Sequence, residues 1–218
     1  MSLLNLIFPP KCVLCRRVLE DNEIDLCYDC RLDSPECAGT KRKLPFLDSW
    51  TAVWYYEGPV RKSLLHFKFY GRRSYAASYG RLLAMKLIQD HPEGFDVITW
   101  VPVSFLRKFR RGYDQDQLLA FAVGRELGME PVKLLRKIRH NRPQSSITGD
   151  AHRRANVLGV YKILKPEQIV GKRILLLDDI LTTGATAGEC ARVLLTAGAK
   201  EVHFGAVATA RRDTKKAR

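Results

Sequence analysis

The chain has 218 residues, enough for one or two domains at about 150 residues each. Its 46% hydrophobic and 28% charged residues exclude collagen, coiled coil and wholesale disorder, and no uninterrupted apolar run reaches the roughly 20 residues of a membrane span. Lysine and arginine total 37 against 23 aspartates and glutamates, a formal +14; such a surplus favours polyanionic partners, with a solvated basic surface as the plain alternative.

Met1 to Pro10 is apolar but lacks a basic leader and a small-residue cleavage site. No secretory signal is therefore expected, and the location expected is the cytoplasm. Cys12, Cys15, Cys27 and Cys30 follow as C-x2-C-x11-C-x2-C. Two such knuckles joined by a short ribbon supply four thiolates to a tetrahedral zinc; redox pairs or incidental thiols are the other readings. Forty residues or so bury too little apolar surface to fold alone, so metal binding there is folding free energy and the predicted zinc is structural. Cys37 has no partner three residues away, and its role stays open. The expected domains are a zinc ribbon over 1–45 and a larger domain over 46–218.

Beyond the Lys41-Arg42-Lys43 run the pattern alternates between strands and helices. Trp50 to Tyr56 reads as a strand, and Pro59 opens a helix that runs to about Phe69. Within and beyond its end, Phe67-Lys68-Phe69-Tyr70-Gly71-Arg72-Arg73-Ser74-Tyr75 interleaves aromatics with cations. That arrangement suits stacking of bases on a single strand, although Phe67 also fits a core position. Ser78 to Gln89 carries a helical apolar stripe that includes Leu82, Leu83, Ala84, Met85 and Leu87. Val97 to Val101 reads as a buried strand, Gln117 to Leu127 as a helix closed by Gly128, and Val132 to Leu135 as a short strand. Arg136 to Asn156 is polar and aperiodic, a length at which loops usually serve function. Val160 to Leu164 and Arg173 to Leu177 are strands, Thr186 to Ala197 is a helix, and Val202 to Thr209 is a last strand before a basic tail. Cys190 falls with Val193 and Leu194 on the apolar face of its helix. Alternation of this kind predicts an α/β fold with a mostly parallel sheet flanked by helices.

The sharpest motif is the apolar strand ending in Asp178 and Asp179, followed by Leu181-Thr182-Thr183-Gly184-Ala185-Thr186. Ligands of open α/β sheets bind beyond such strand ends. The start of the next helix offers backbone N–H groups to a phosphate; Thr182, Thr183 and Thr186 add hydroxyls, and Gly184 permits close approach. The two carboxylates suit sugar hydroxyls or a magnesium ion through its waters. Phosphate and diol side by side describe a ribose 5-phosphate. A Walker B strand is the rival reading, but no G-x-x-x-x-G-K-[ST] accompanies it.

The segment resembles the phosphoribosyl pyrophosphate (PRPP) loop of type I phosphoribosyltransferases, and the element order agrees over about residues 48 to 210. Further matches are similar to the ComF family: Phe8-Pro9-Pro10-Lys11-Cys12 before the ribbon, Val101-Pro102-Val103, Arg111-Gly112-Tyr113-Asp114-Gln115, and Leu135-Arg136 with Gln144, Arg153, Arg154, Asn156 and Tyr161. Family members often carry a second C-x2-C, which Cys37 alone does not supply. The resemblance implies a zinc ribbon on a phosphoribosyltransferase domain, PRPP bound with magnesium, and a role in DNA uptake during natural competence alongside a helicase-like ATPase. It also implies that Val103 and Ser104 belong to the pyrophosphate-binding turn, and that the 136–156 loop, with Lys137, Arg139 and Arg142, is a flexible lid; a DNA clamp is the competing reading. Arg107, Lys108, Arg110 and Arg111, then Lys68, Arg72 and Arg73, are the candidate contacts to single-stranded DNA; neutralising the phosphates of the neighbouring pyrophosphate-binding turn and forming a solvated basic face are the other readings of the 107–111 cations. Turnover on a nucleobase is the alternative function, and no acceptor pocket or general acid is identifiable. The five histidines show no metal-ligand spacing.

Overall fold

A computed structural model describes residues 9–37, 42–104, 109, 112–139 and 156–211 of the chain. The first of these stretches forms two knuckles and a short helix, α1 (Tyr28–Asp33). Cys12 N–H donates to the Arg17 carbonyl at 2.8 Å and Arg16 N–H returns to the Cys12 carbonyl at 2.9 Å. Arg16 closes that turn with φ 69°, a left-handed conformation that a side chain resists.

The larger body runs β1 (Ser49–Tyr55), α2 (Gly58–Phe69), α3 (Tyr75–Asp90), β2 (Val97–Trp100), α4 (Gln115–Leu127), β3 (Leu135–Lys137), β4 (Tyr161–Ile163), β5 (Arg173–Leu181), α5 (Ala185–Thr196) and β6 (Glu201–Thr209). The main sheet has the order β1-β6-β5-β2, with every pairing parallel. Its central strands are apolar almost throughout, as expected where helices cover both faces. Ile174 to Leu177 and Val202, Phe204 and Ala206 are fully buried.

One apolar cluster joins Leu64 and Phe67 of α2, Tyr79, Leu83 and Leu87 of α3, Leu119 and Val123 of α4, and Ile98 and Leu175 of the sheet. Cys12, Val13, Leu14, Leu19, Leu26 and Cys27 of the ribbon belong to the same cluster. Helices α3 and α4 touch closely at Gly80, where a Cβ would stand 2.4 Å from that of Ala122. Helix α5 covers the opposite face, with Cys190, Ala191 and Leu194 fully buried among Ile174, Leu176 and Phe204.

Three expectations need correction. Strand β5 does not end at Leu177: it pairs with β6 as far as Leu181↔Thr209, so Asp178 and Asp179 lie within the strand. The strand expected over 132–135 is displaced. Val132 N–H bonds to the Ile98 carbonyl at 2.8 Å and Leu134 N–H to the Thr99 hydroxyl at 3.3 Å, so the chain merely follows the β2 edge; the ladder begins at Leu135 and is antiparallel, in a separate two-stranded sheet with β4. Met85 does not join the apolar face of α3, being 59% exposed; that face is Ala76, Tyr79, Gly80, Leu83, Ala84 and Leu87.

Candidate functional site

The site is built at the C-terminal ends of β5 and β2. Parallel strands leave their last carbonyls and side chains pointing beyond the sheet, and the turn Thr182–Gly184 leads from there into α5. Gly184 is the N-cap residue with φ 82°, and a Cβ there would meet Leu44 at 2.7 Å. Only glycine satisfies both constraints. It offers the first turn of α5 no side-chain acceptor, while the Thr183 hydroxyl accepts from Ala185 N–H at 3.2 Å. Arg42 reaches over from the ribbon side, its guanidinium donating to the carbonyls of Thr182 and Thr183, and Trp50 Nε1 holds the Arg42 carbonyl at 2.8 Å.

Asp178 and Asp179 sit at the floor. Asp178 accepts from Asp179 N–H at 2.8 Å, and Asp179 is buried. Lys68, near the end of α2, places Nζ 2.9 Å from Asp179 Oδ1, with side-chain exposures of 19% and 3%. Asp116, in the first turn of α4, completes the group: carboxylate oxygens of Asp116, Asp178 and Asp179 lie within 4.8 Å of one another. The juxtaposition has a visible cause. Tyr113 donates its hydroxyl to the Phe67 carbonyl, tying the entry to α4 directly to the residue before Lys68. Asp114 caps α4 by accepting from Gln117 N–H at 3.1 Å.

The electrostatics are those of a crowded, desolvated acid cluster. Burial, then the Asp179 charge, push the Asp178 carboxyl up to about 8, with Lys68 acting in the opposite sense. Asp116 is raised well above the usual carboxylate range by burial and by both aspartates. Burial disfavours the Lys68 ammonium, but the Asp179 and Asp178 charges more than offset it and its pKa is raised.

Of the residues expected at the PRPP site, Asp178 and Asp179 lie near the end of strand β5, Thr182, Thr183 and Gly184 form the turn, and Ala185 and Thr186 open α5, so all seven fall in one short stretch of chain. Val103 and Ser104 follow β2, and Ser104 is buried. Arg107, Lys108, Arg110, Arg111, Arg142, Gln144, Arg153 and Arg154 lie outside the described residues. Arg72 and Arg73 are exposed; Arg73 donates to the Gly112 carbonyl at 3.1 Å and stands over the Tyr113 ring at 4.9 Å. Lys68, grouped with them from the sequence, instead turns inward to Asp179, and Phe67 is core. Sequence reasoning does not reach Asp116 and Gln115 as site residues. The signals for them are the Arg111-Gly112-Tyr113-Asp114-Gln115 match, which contains Gln115, and the acidic Asp116 that follows it directly at a helix start.

In the ribbon the sulfurs of Cys12, Cys15, Cys27 and Cys30 lie within 4.8 Å of one another, and those of Cys15 and Cys27 are 3.6 Å apart. Tetrahedral zinc with sulfur at about 2.3 Å separates its ligands by about 3.8 Å, so the cluster is compatible with a zinc ribbon. Burial opposes ionisation of Cys12, yet backbone N–H groups of Cys15, Cys27 and Leu14 bring its thiol down to about 7. Cys37 is buried beside Val53, away from this set, its N–H donating to the Val53 carbonyl at 2.9 Å.

The parallel sheet, the acid pair and the turn into α5 define a type I phosphoribosyltransferase fold, and the model of the phosphoribosyl transferase domain matches residues 118–218. Competence protein ComFC of Streptococcus pneumoniae is 31% identical over 178 residues, 81% of this chain and 71% of that one. The chain belongs to the ComF family of competence proteins. Competence protein F of Haemophilus influenzae is 23% identical over 92% of this chain and 97% of its own, and the DNA utilization protein YhgH of Salmonella typhi is 28% identical over 88% and 86%. Among solved structures, the glutamine PRPP amidotransferase of B. subtilis aligns at 22% identity and TM-score 0.45, over 65% of this chain and 30% of that chain. No helix among the described residues is long and apolar enough to cross a membrane.

Proposed function

We propose that this protein handles single-stranded DNA during natural transformation and holds PRPP, with magnesium, in the phosphoribosyltransferase-type site. The observation that carries the ligand assignment is the turn Thr182–Gly184, set between the Asp178–Asp179 pair and the start of α5. Phosphate on the turn and the helix N-terminus, with ribose hydroxyls on the carboxylates, uses every group in that constellation. Asp178 and Asp179 suit magnesium as oxygen donors, and the buried Asp179 Oδ2, which has no partner among the described residues, fits a cationic neighbour. When bound, the ion screens the pyrophosphate charge. The chain's own residues bind and orient the sugar phosphate, and Leu44 and Arg42 cover the turn.

The DNA assignment is supported by the +14 charge, by the exposed Arg72 and Arg73, and by relatives that bear the names competence and DNA utilization protein. Calorimetry with PRPP and magnesium tests the site: wild type binds and Asp178→Ala/Asp179→Ala does not. Equal affinities would refute the assignment. Incubation with PRPP and the common nucleobases then separates a binding site from a transferase, because only a transferase releases pyrophosphate.

A further inference from the structure

The carboxylate cluster contains more acid than PRPP recognition needs. Asp116 comes from α4, outside the β5 turn, and is 2% exposed. Three carboxyl groups face the single ammonium of Lys68; a divalent cation bound among them would displace the protons that crowding favours there and, together with Lys68, balance the three carboxylates. The polar atoms there are unsatisfied: Asp116 Oδ1 and Asp179 Oδ2 are buried and have no hydrogen-bond partner among the described residues. Gln115 is a separate sign. It is 3% exposed, its amide nitrogen donates to Asp116 Oδ2 at 3.3 Å, and its Oε1 is also buried without a partner among the described residues. Buried acceptors left unpaired are costly, and a hard cation is the ligand that takes several oxygens at once.

We propose that Asp116 completes a divalent-cation site with Asp178 and Asp179, one that fills before and without the sugar phosphate. A magnesium or manganese ion holding oxygens at about 2.0–2.1 Å draws them to within about 4.2 Å of one another, a contraction of less than an ångström from the widest separation in the cluster. Lys68 stays as a fixed positive charge that weakens the site and keeps the ion exchangeable. The proposal shares Asp178 and Asp179 with the PRPP reading but rests on Asp116, Gln115 and Lys68, which that reading does not use.

The test titrates manganese alone into the full-length, zinc-loaded protein, following free ion by electron paramagnetic resonance. Wild type is expected to take up one manganese without PRPP. Asp116→Asn, which removes a charge at nearly constant shape, should weaken that uptake by about tenfold or more, since ligand charge sets affinity in such sites. Lys68→Met should move it in the other direction; a purely structural role for Lys68 would not tighten manganese. Should Lys68→Met fail to fold, the Asp116→Asn comparison decides alone. No uptake by wild type, or equal uptake by Asp116→Asn, overturns the proposal and leaves a proton on the cluster in place of a metal. PRPP calorimetry on the same samples keeps the two readings apart: PRPP binding without manganese uptake sinks only the cation site, and manganese uptake without PRPP binding sinks only the sugar-phosphate assignment.

Discussion

The ammonium of Lys68 lies 2.9 Å from the carboxylate of Asp179, and both groups are largely withdrawn from solvent. Breaking a buried pair by deleting one partner strands the other charge, at a cost of about 3–5 kcal/mol. Lys68→Met is therefore expected to lose stability on that scale in urea unfolding at neutral pH. A change below about 1 kcal/mol would mean that the pair behaves as an exposed one.

Asp178 introduces a pH dependence of a particular sign. Burial and the Asp179 charge push its carboxyl up to about 8, whereas an unfolded chain titrates near about 3.9. Between those values the native protein holds a proton that the unfolded chain has lost. This contribution to stability is complete below about pH 4 and disappears as the pH rises through about 8. Asp178→Asn cannot lose the proton, so it should gain on wild type at about pH 9 relative to about pH 5 when both are unfolded without added magnesium. A stability difference identical at both pH values would exclude this origin.

The four clustered cysteines predict one zinc per chain, lost on Cys12→Ser or Cys30→Ser together with ordered structure in the ribbon. Elemental analysis of purified protein checks it; a metal-free chain with the ribbon intact would show that the thiols hold the fold by themselves.

The Thr183 hydroxyl orders the turn by accepting from Ala185 N–H, and a phosphate on the turn would receive its proton in a hydrogen bond. Thr183→Ala should weaken PRPP binding by roughly 1.5–3 kcal/mol, the range for a charged hydrogen bond. Calorimetry at matched magnesium measures this directly, and unchanged affinity would remove Thr183 from the phosphate cradle.

Single-stranded DNA is expected to bind with little sequence preference and strong salt dependence. Reversing the charges at Arg107, Lys108, Arg110 and Arg111 should flatten the log–log salt plot by roughly 0.7 for each phosphate that is no longer neutralised, and Arg72 and Arg73 should contribute in the same way. Affinity that does not vary with salt would discard the nucleic-acid role.

The parts of the molecule that can be read from the sequence are those where one local pattern carries the whole instruction. The apolar run into Asp178-Asp179 and Thr182-Thr183-Gly184 specifies strand, turn and helix among near neighbours in the chain, and only the strand end moves, because pairing with β6 continues past Leu177. Lys68 and Asp116 escape that logic. By sequence Lys68 is one cation among Arg72 and Arg73, and its inward turn goes with an ion pair to Asp179, a residue far away in the chain. The short strand near Leu135 is displaced for a similar reason: the hydrogen bonds of Val132 and Leu134 go to the β2 edge, which no local periodicity reports.

Val13 and Leu14 of the cysteine-bearing segment share one apolar cluster with Phe67 and Tyr79, Ser63 of α2 donates its hydroxyl to the Val13 carbonyl, and Arg81 of α3 grips Asp25. The segment is thus a lid on the larger body as much as a module of its own. Cutting the chain near residue 45 would uncover the tops of α2 and α3 and convert a buried seam into a sticky face. Such a fragment should self-associate during expression, and a protease nick after residue 37 should release the N-terminal piece only under conditions that unfold the whole.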